Sequence, residues 1–300
     1  MTREYRCYQI DSFTKEKFSG NPAGVITNAD RLTEMEMQKI ARELNNSETA
    51  FIFPSLEDVY DVEVRFFTPT KEVPICGHAT IAAHYARAVE NSMGTVRIYQ
   101  KTGAGILPVD IIKEKDDYRI VMTQGQIEFG DTLTGEILDK ILSALNISYG
   151  DLLENYPVQI VSTGHSKVMI GIKDKETLDC IQPDLSFLAE ISGKIQCNGF
   201  YVFTIDHESD ILVHGRMFAP AIGISEDPVT GNANGPLGAY LVHYKKVDCT
   251  SSRFFFRAMQ GEAIHRPGVI DVQVDINNGE PDEVKISGNA VIVFQSEILL

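Results

Sequence analysis

The residues best suited to acid–base chemistry lie in two segments that resemble each other. Residues 65–79 read RFFTPTKEVPICGHA, and residues 216–233 read RMFAPAIGISEDPVTGNA. Both fit R-x-F-x-P, a short loop, and then E-x-P-x-x-G-[HN]-A. A helix N-terminus presents unpaired N–H groups and partial positive charge, and a glycine there lets a ligand approach the backbone. Gly77 and Gly231 therefore predict two helix starts that bind a small carboxylate.

The two segments differ at the positions where proton transfer would take place. Three aligned pairs are unlike, and these pairs are Cys76 with Thr230, His78 with Asn232, and Val73 with Asp227. A proton relay needs unlike groups whose pKa values are separated, and this asymmetry supplies them. The aligned pairs Arg65 with Arg216 and Glu72 with Glu226 are alike, which suggests a structural ion pair in each copy.

The strand before each segment extends the match. Ile52-Phe53 aligns with Val202-Phe203, which places Glu48 roughly opposite Asn198 and leaves Glu48 without a carboxylate twin. A glutamate at a strand start is usually a surface residue. Its lack of a twin, beside a repeated motif, favours a catalytic role for Glu48 instead.

The repeat also predicts the architecture. A motif that recurs at about half the chain length indicates two homologous lobes rather than a solenoid. We expect an α+β fold with an N-terminal lobe over residues 1–128, against which the final strand, about 288–300, packs back. The C-terminal lobe spans 129–287, and the active site is expected in the cleft between the lobes.

Local patterns place the elements that position these residues. The stretch TEMEMQKIARELN predicts a helix, because Thr33 and Glu36 suit a capping box and the apolar residues form one face. HATIAAHYARAVENS, TGEILDKILSALNI and GPLGAYLVHY are also predicted helices. Strands are predicted for the β-branched and aromatic stretches, among them VEVRFFTP, SKVMIGI and FYVFTI.

Composition excludes several classes of function. The net charge is −15 and no cluster of Lys and Arg appears, so nucleic acid and anionic membranes are not expected partners. The five cysteines are scattered without C-x-x-C spacing, which argues against a structural zinc site. No phosphate-binding or dinucleotide-binding motif is present, so we expect no metal and no cofactor. The first residues lack the pattern of a secretory signal, and a cytoplasmic location is expected.

Four segments of the sequence strongly resemble the PhzF family of phenazine biosynthesis, whose broader relatives are diaminopimelate epimerase and proline racemase. The four segments are GNPAGV, SETAFIF, RFFTPTKEVPICGHATIAAH and GRMFAPAIGISEDPVTGNANGPLGAYL. The matches run in order from about residue 10 to residue 240. The resemblance implies two pseudo-symmetric lobes, each a strongly bent, barrel-like sheet around a central helix. It also implies a cleft between the lobes, no cofactor and usually a homodimer.

The resemblance assigns roles to particular residues. Glu48 matches a glutamate that moves a proton on a dihydro-hydroxyanthranilate ring, and His78 and Asp227 match the other site residues. Asn232 stands where the family commonly has Ser. Cys76 stands where the epimerase relatives carry a catalytic thiol, but its counterpart Thr230 is too weak a base for two-thiol racemisation.

Together, these observations predict a cofactor-independent isomerase that transfers a proton on a small cyclic or unsaturated carboxylate. The catalytic residues would be Glu48, His78 and Asp227. The substrate-binding residues would be Gly77, Gly231, Asn232, Cys76 and Thr230. One alternative is an epimerase or dehydratase of an amino acid that depends on the Cys76 thiol. A second is a non-catalytic protein that binds a metabolite.

Overall fold

The computed structural model describes residues 2–300, which fold into two compact units. The first unit comprises the chain up to Thr123 together with Ser287–Leu300, and the second is Gln124–Ile286. None of the helices in residues 2–300 has the length and apolar character needed to span a bilayer.

The first unit contains nine strands and two helices among its described residues. The strands are β1 (Glu4–Ser12), β2 (Asn21–Ile26), β3 (Thr49–Pro54), β4 (Val62–Phe67), β5 (Glu72–Val73), β6 (Val96–Thr102), β7 (Gly105–Glu114), β8 (Asp117–Thr123) and, from the end of the chain, β18 (Ala290–Leu299). The helices are α1 (Glu34–Leu44) and α2 (Gly77–Glu90). The final strand β18 pairs with β1 along its whole length.

The second unit repeats this arrangement with additional helices. Its strands are β9 (Glu128–Thr132), β10 (Gln159–Ser162), β11 (Lys167–Gly171), β12 (Phe200–Ile205), β13 (Val213–Ala219), β14 (Ile224–Asp227), β15 (Arg253–Gln260), β16 (Gly268–Asn277) and β17 (Glu280–Gly288), whose last residues pass into the first unit. Its helices are α3 (Gly135–Leu145), α4 (Lys175–Cys180), α5 (Leu185–Ile195) and α6 (Gly231–His243).

Strand pairing follows the same plan in both units. In the first, β2 runs parallel to β3, β3 antiparallel to β4, β4 antiparallel to β5, and β4 parallel to β6. In the second, β11 runs parallel to β12, β12 antiparallel to β13, β13 antiparallel to β14, and β13 parallel to β15, which is the same pattern. The duplication therefore extends well beyond the motif that revealed it, and it confirms the predicted α+β class.

The strand registers correct the predicted alignment by one residue. Phe51 pairs with Arg65 and Val202 pairs with Arg216, so Phe51 corresponds to Val202. The sequence had instead matched Ile52 to Val202. Counting back along both strands, the residue equivalent to Glu48 is Gly199 rather than Asn198. The aromatic and aliphatic residues of the two strands fit either frame, and only the hydrogen-bonded pairing selects one.

Each unit builds its core around one helix. Most residues of α2 and nearly all of α6 are buried, because the strands of each unit curl around that helix. A helix that is apolar on every side can only be stable when it is surrounded in this way. The first residue of the helix is the glycine shared by the two copies of the repeat, so the curled sheet fixes the direction in which the N-terminus of the helix points.

Some of the other helices were predicted from the sequence, and two were not. The helix α1 has the predicted capping box between Thr33 and Glu36. The helix α6 begins at Gly231, earlier than the stretch predicted for it, and it includes Pro236. The helices α4 and α5 were not predicted, although Asp174 and Asp184 cap them in the usual way by accepting from backbone N–H groups.

Candidate active site

Three predicted residues meet in the first unit at the start of α2. Glu48 directly precedes β3, Cys76 is the N-cap of α2, and His78 is its second residue. The His78 ring lies between the other two side chains. Its Nδ1 is 3.4 Å from the Cys76 Sγ, and its Nε2 is 3.5 Å from the Glu48 Oε2. The strand–turn–helix motif thus brings a thiol, an imidazole and a carboxyl into one chain of contacts.

Neighbouring groups fix the orientation of His78. The Ser47 hydroxyl lies 3.3 Å from its Nε2. The Ser12 hydroxyl donates to the His78 carbonyl oxygen at 2.8 Å, which ties the first turn of α2 to β1. The His78 side chain is buried, so the imidazole has little freedom to turn away from Glu48 and Cys76.

The surroundings of Glu48 alter its acidity. Burial raises the pKa of Glu48 above its ordinary value, while hydrogen bonds from Ser47 and Cys76 partly oppose that rise. A raised pKa brings a carboxyl group closer to the working range of a general acid and base near neutral pH. The Glu48 side chain keeps 15% of its surface exposed, so it is still reachable.

The same three residues offer one donor atom each within 4.8 Å of one another, which is the spacing of a metal site. The orientation of His78 fits that interpretation poorly. A metal ion binds a histidine through one ring nitrogen. Here Nδ1 contacts the thiol and Nε2 contacts the carboxyl group, so the two side chains approach different nitrogens of the ring. The arrangement suits proton transfer along hydrogen bonds better than coordination of one ion.

The second unit carries a different polar cluster at the start of α6. Asp227 is the last residue of β14, and Thr230 is the N-cap of α6. The Thr230 hydroxyl donates to the Asp227 carboxylate. The Gln260 amide donates to the Thr230 Oγ at 3.0 Å and to the Asp227 carbonyl oxygen at 2.6 Å. Asp227 is buried and held in one orientation.

This cluster continues into residues that the sequence did not indicate. The Asn234 amide donates to the Thr230 carbonyl at 3.0 Å and to the Gln260 Oε1 at 3.1 Å. The buried Tyr201 hydroxyl donates to the Asn234 Oδ1 at 2.6 Å. The signal for Asn234 was present in the sequence, since a second asparagine in the first turn of an apolar helix is unusual unless it is hydrogen-bonded.

Comparison with known proteins identifies the family. A family model of phenazine biosynthesis-like proteins matches residues 10–296. The chain belongs to the PhzF family. It is 69% identical over 301 residues to an uncharacterized isomerase of Clostridium acetobutylicum, with 100% of both chains covered. It is 27% identical over 292 residues to the trans-2,3-dihydro-3-hydroxyanthranilate isomerase of Pseudomonas chlororaphis, with 97% of this chain and 98% of that one covered.

A solved structure agrees with these matches. A PhzF-family phenazine biosynthesis protein of Bacillus anthracis superposes with a TM-score of 0.89 at 30% identity, covering 99% of this chain and 100% of that one. Because the relatives are named isomerases, this PhzF-family protein is an enzyme of the isomerase type.

The N-cap side chains of this PhzF-family protein do not cap their helices. Neither N-cap residue, Cys76 or Thr230, makes a side-chain bond to the first turn of its helix. The first N–H groups of a helix need a partner from outside it. Gly77 and Asn232 are each partly exposed beside these groups. At both helix starts, therefore, the N-cap side chain does not occupy the first-turn N–H groups.

Gly231 has a packing reason as well. A Cβ at this position would lie 2.4 Å from the Ile286 Cδ1, so any larger residue would displace the end of that side chain. The glycine thus allows β17 to approach α6 closely.

The predicted ion pairs are present in both units of the PhzF-family protein. Arg65 binds both carboxylate oxygens of Glu72, at 2.7 and 2.6 Å. Arg216 binds both oxygens of Glu226, at 3.0 and 2.8 Å. Each pair ties β4 to β5, or β13 to β14, directly before the site. Their role is structural, as their twinning in the sequence suggested.

Proposed function

We propose that this protein is a cofactor-independent isomerase that moves a proton on a small cyclic or unsaturated carboxylate, with Glu48 as the acid and base. The observation that carries the proposal is the buried Glu48 carboxyl, whose pKa is raised and which contacts His78 at the start of α2. A carboxyl in that setting can take a proton from carbon and return it.

The proton transfer balances within the substrate. The Glu48 carboxylate removes a proton from one carbon, and the electron pair of that C–H bond shifts a double bond along the substrate. The protonated Glu48 then delivers the proton to a second carbon, so the product is an isomer. His78 and Asp227 hold or polarise the polar groups of the substrate. The N–H groups near Gly77 and Gly231 bind its carboxylate, with Cys76, Thr230 and Asn232 as further contacts.

The names of the relatives indicate which substrate should be tested first. The Pseudomonas chlororaphis relative is named for the isomerisation of trans-2,3-dihydro-3-hydroxyanthranilate, a cyclic carboxylate of the expected class. That compound is the first candidate. Asn232 in place of the serine common in the family gives a reason to test analogues with different polar groups, because an amide offers two N–H donors and a separate carbonyl acceptor, where a hydroxyl donates and accepts through one oxygen.

One observation favours a second candidate function. The Cys76 thiol lies 3.4 Å from the His78 Nδ1 and donates a hydrogen bond to Glu48. A thiol is activated as a base when an imidazole or carboxylate can take its proton. This contact would support an epimerase or dehydratase of an amino acid that uses Cys76.

The cytoplasmic location and the homodimer stay predictions.

The experiment follows solvent deuterium into candidate substrates in D2O, measured by mass spectrometry and NMR. The panel contains trans-2,3-dihydro-3-hydroxyanthranilate, related unsaturated carboxylates and chiral amino acids. For a substrate that turns over, Glu48→Gln should lower kcat about 10²- to 10⁴-fold, the usual range for loss of a general base. Glu43→Gln, on the exposed side of α1, is the matched control and should keep full activity.

Cys76→Ala separates the two candidate functions. It should keep most of the activity if Glu48 is the base. An active Glu48→Gln enzyme beside an inactive but folded Cys76→Ala enzyme would move the protein to the thiol-dependent class. Saturable binding of a panel compound, without turnover by the wild type, would favour the non-catalytic alternative.

A further inference from the structure

A buried lysine in the second unit has no role in the proposed reaction. Lys167, the first residue of β11, is 5% exposed. Within residues 2–300, its ammonium group makes one hydrogen bond, to the Ser166 carbonyl oxygen at 3.1 Å, and has no carboxylate at ion-pair distance. Burial lowers the pKa of Lys167. An ammonium group in such a place is costly unless some other charge nearby offsets it.

Lys167 lies over the position that corresponds to Glu48. A Cβ placed on Gly199 would be 2.4 Å from the Lys167 Cδ and 2.8 Å from its Cε. Gly199 is the equivalent of Glu48 in the second copy. By the same registers, Ile26 corresponds to Ile170, and therefore Ala23 corresponds to Lys167. The first copy combines a buried alanine with a glutamate, and the second combines a buried lysine with a glycine.

The lysine lies on the same face of the sheet as Asp227. The same Cβ position on Gly199 is 3.5 Å from the Met217 Sδ. Met217 pairs directly with Asp227 across β13 and β14. Residues directly opposite each other in an antiparallel pair project from the same face of the sheet. Lys167, Met217 and Asp227 therefore share one face, and the Asp227 carboxylate attracts the lysine.

We propose that Lys167 is a positioning residue that holds Asp227 in its carboxylate form through the field of a buried ammonium group. Its importance for turnover rests on the role of Asp227 in the proposed function, but the electrostatic effect itself does not. Two other titratable groups interact with the lysine: the buried Cys197 thiol acts on Lys167, and Lys167 in turn lowers the pKa of His165 in the preceding loop, whose burial lowers it more. Asp227 is the acid among these partners that belongs to the start of α6.

A purely structural role predicts something different. If the side chain only filled the space above Gly199, a methionine of similar length would replace it without altering Asp227. If the charge is what matters, arginine would serve and methionine would not, because opposite charges in a buried setting favour each other's ionised forms.

The test is an NMR titration of aspartate carboxyl carbons in the full-length protein labelled with 13C at the aspartate side chains. Asp227→Asn identifies the Asp227 signal by its loss. In Lys167→Met, we expect the Asp227 titration midpoint to rise by about one pH unit relative to wild type, in the range for losing a nearby opposite charge. Lys167→Arg and the exposed-residue control Lys194→Met should leave the midpoint unchanged. An unchanged midpoint in folded Lys167→Met would overturn the proposal.

A reciprocal measurement needs no lysine variant and covers the case in which Lys167→Met does not fold. Coupling between two titrating groups is mutual. The Lys167 Nζ, followed by 15N NMR, should lose its proton at lower pH in Asp227→Asn than in wild type, and equal midpoints would refute the coupling. Neither titration uses a substrate. A failure here would therefore leave the deuterium experiment unaffected, and failure of that experiment would leave this coupling unaffected.

Discussion

The two units share one plan of strands and a central helix, yet the groups at the start of that helix are different in kind. In the first unit, Glu48 and His78 form a chain of contacts with the Cys76 thiol. In the second, Asp227 and Thr230 belong to a network of amides and hydroxyls. The comparison teaches that the duplicated backbone supplies the helix start, while the side chains around it diverged into a thiol–imidazole–carboxyl set and a network of amides and hydroxyls around Asp227.

The twinned ion pairs differ in their surroundings as well. The Arg65–Glu72 pair keeps 26% and 37% of its side chains exposed, while both partners of the Arg216–Glu226 pair are 9% exposed. Arg216 also donates to the carbonyl oxygens of Leu178 and Ile181, at 3.0 and 2.8 Å. The second copy therefore depends much more on its arginine than the first.

The largest effect expected from this comparison is on stability. Arg216→Met should lower the free energy of unfolding by about 3–5 kcal/mol, because it leaves the buried Glu226 and two buried carbonyls without their partner. Arg65→Met, the matched control, should cost about 1 kcal/mol or less, because water can replace the lost contact. Urea unfolding followed by circular dichroism measures both. Equal losses would show that the two pairs contribute alike.

A smaller difference is expected at the N-caps. Thr230→Val keeps the shape of the side chain but deprives Asp227 and Gln260 of a hydrogen-bond partner, which should cost about 1–3 kcal/mol. Cys76→Ala removes one buried sulfur and should cost about 1 kcal/mol through a small cavity. Thermal unfolding of both variants at one pH gives the order. A larger loss for Cys76→Ala would mean that the thiol contacts stabilise the first unit more than the hydroxyl network stabilises the second.

The smallest expected effect concerns Glu48 and pH. The pKa of Glu48 is raised in the folded protein, mainly by burial. The folded state therefore binds the proton more tightly than the unfolded state does, and this contribution to stability is lost as pH rises through the folded pKa. Relative to wild type, Glu48→Gln should gain stability as pH rises from about 4 to about 8. A difference that stays constant over that range, measured by urea unfolding, would contradict the raised pKa.

Several features could be predicted from the sequence because they depend on local chemistry. The capping box at Thr33 and Glu36, the buried helix after Gly77 and the paired arginines and glutamates each follow from residue types at short spacing. The asymmetry between the aligned motifs also singled out Glu48 and His78, which the structure places in contact at the start of α2. The contact of Cys76 with both of them was not predicted, because a buried cysteine is usually an inert apolar residue.

What the sequence determined by itself is the duplication, the elements of each copy and the residues that differ between them, because these are encoded in patterns a few residues long. Only the tertiary structure decided the register that makes Gly199 the equivalent of Glu48, since both frames of the strand satisfy the same alternation. It also decided the place of Lys167. A lysine in a strand is usually exposed, and this one is buried where a glycine directly before the neighbouring strand leaves room for its side chain.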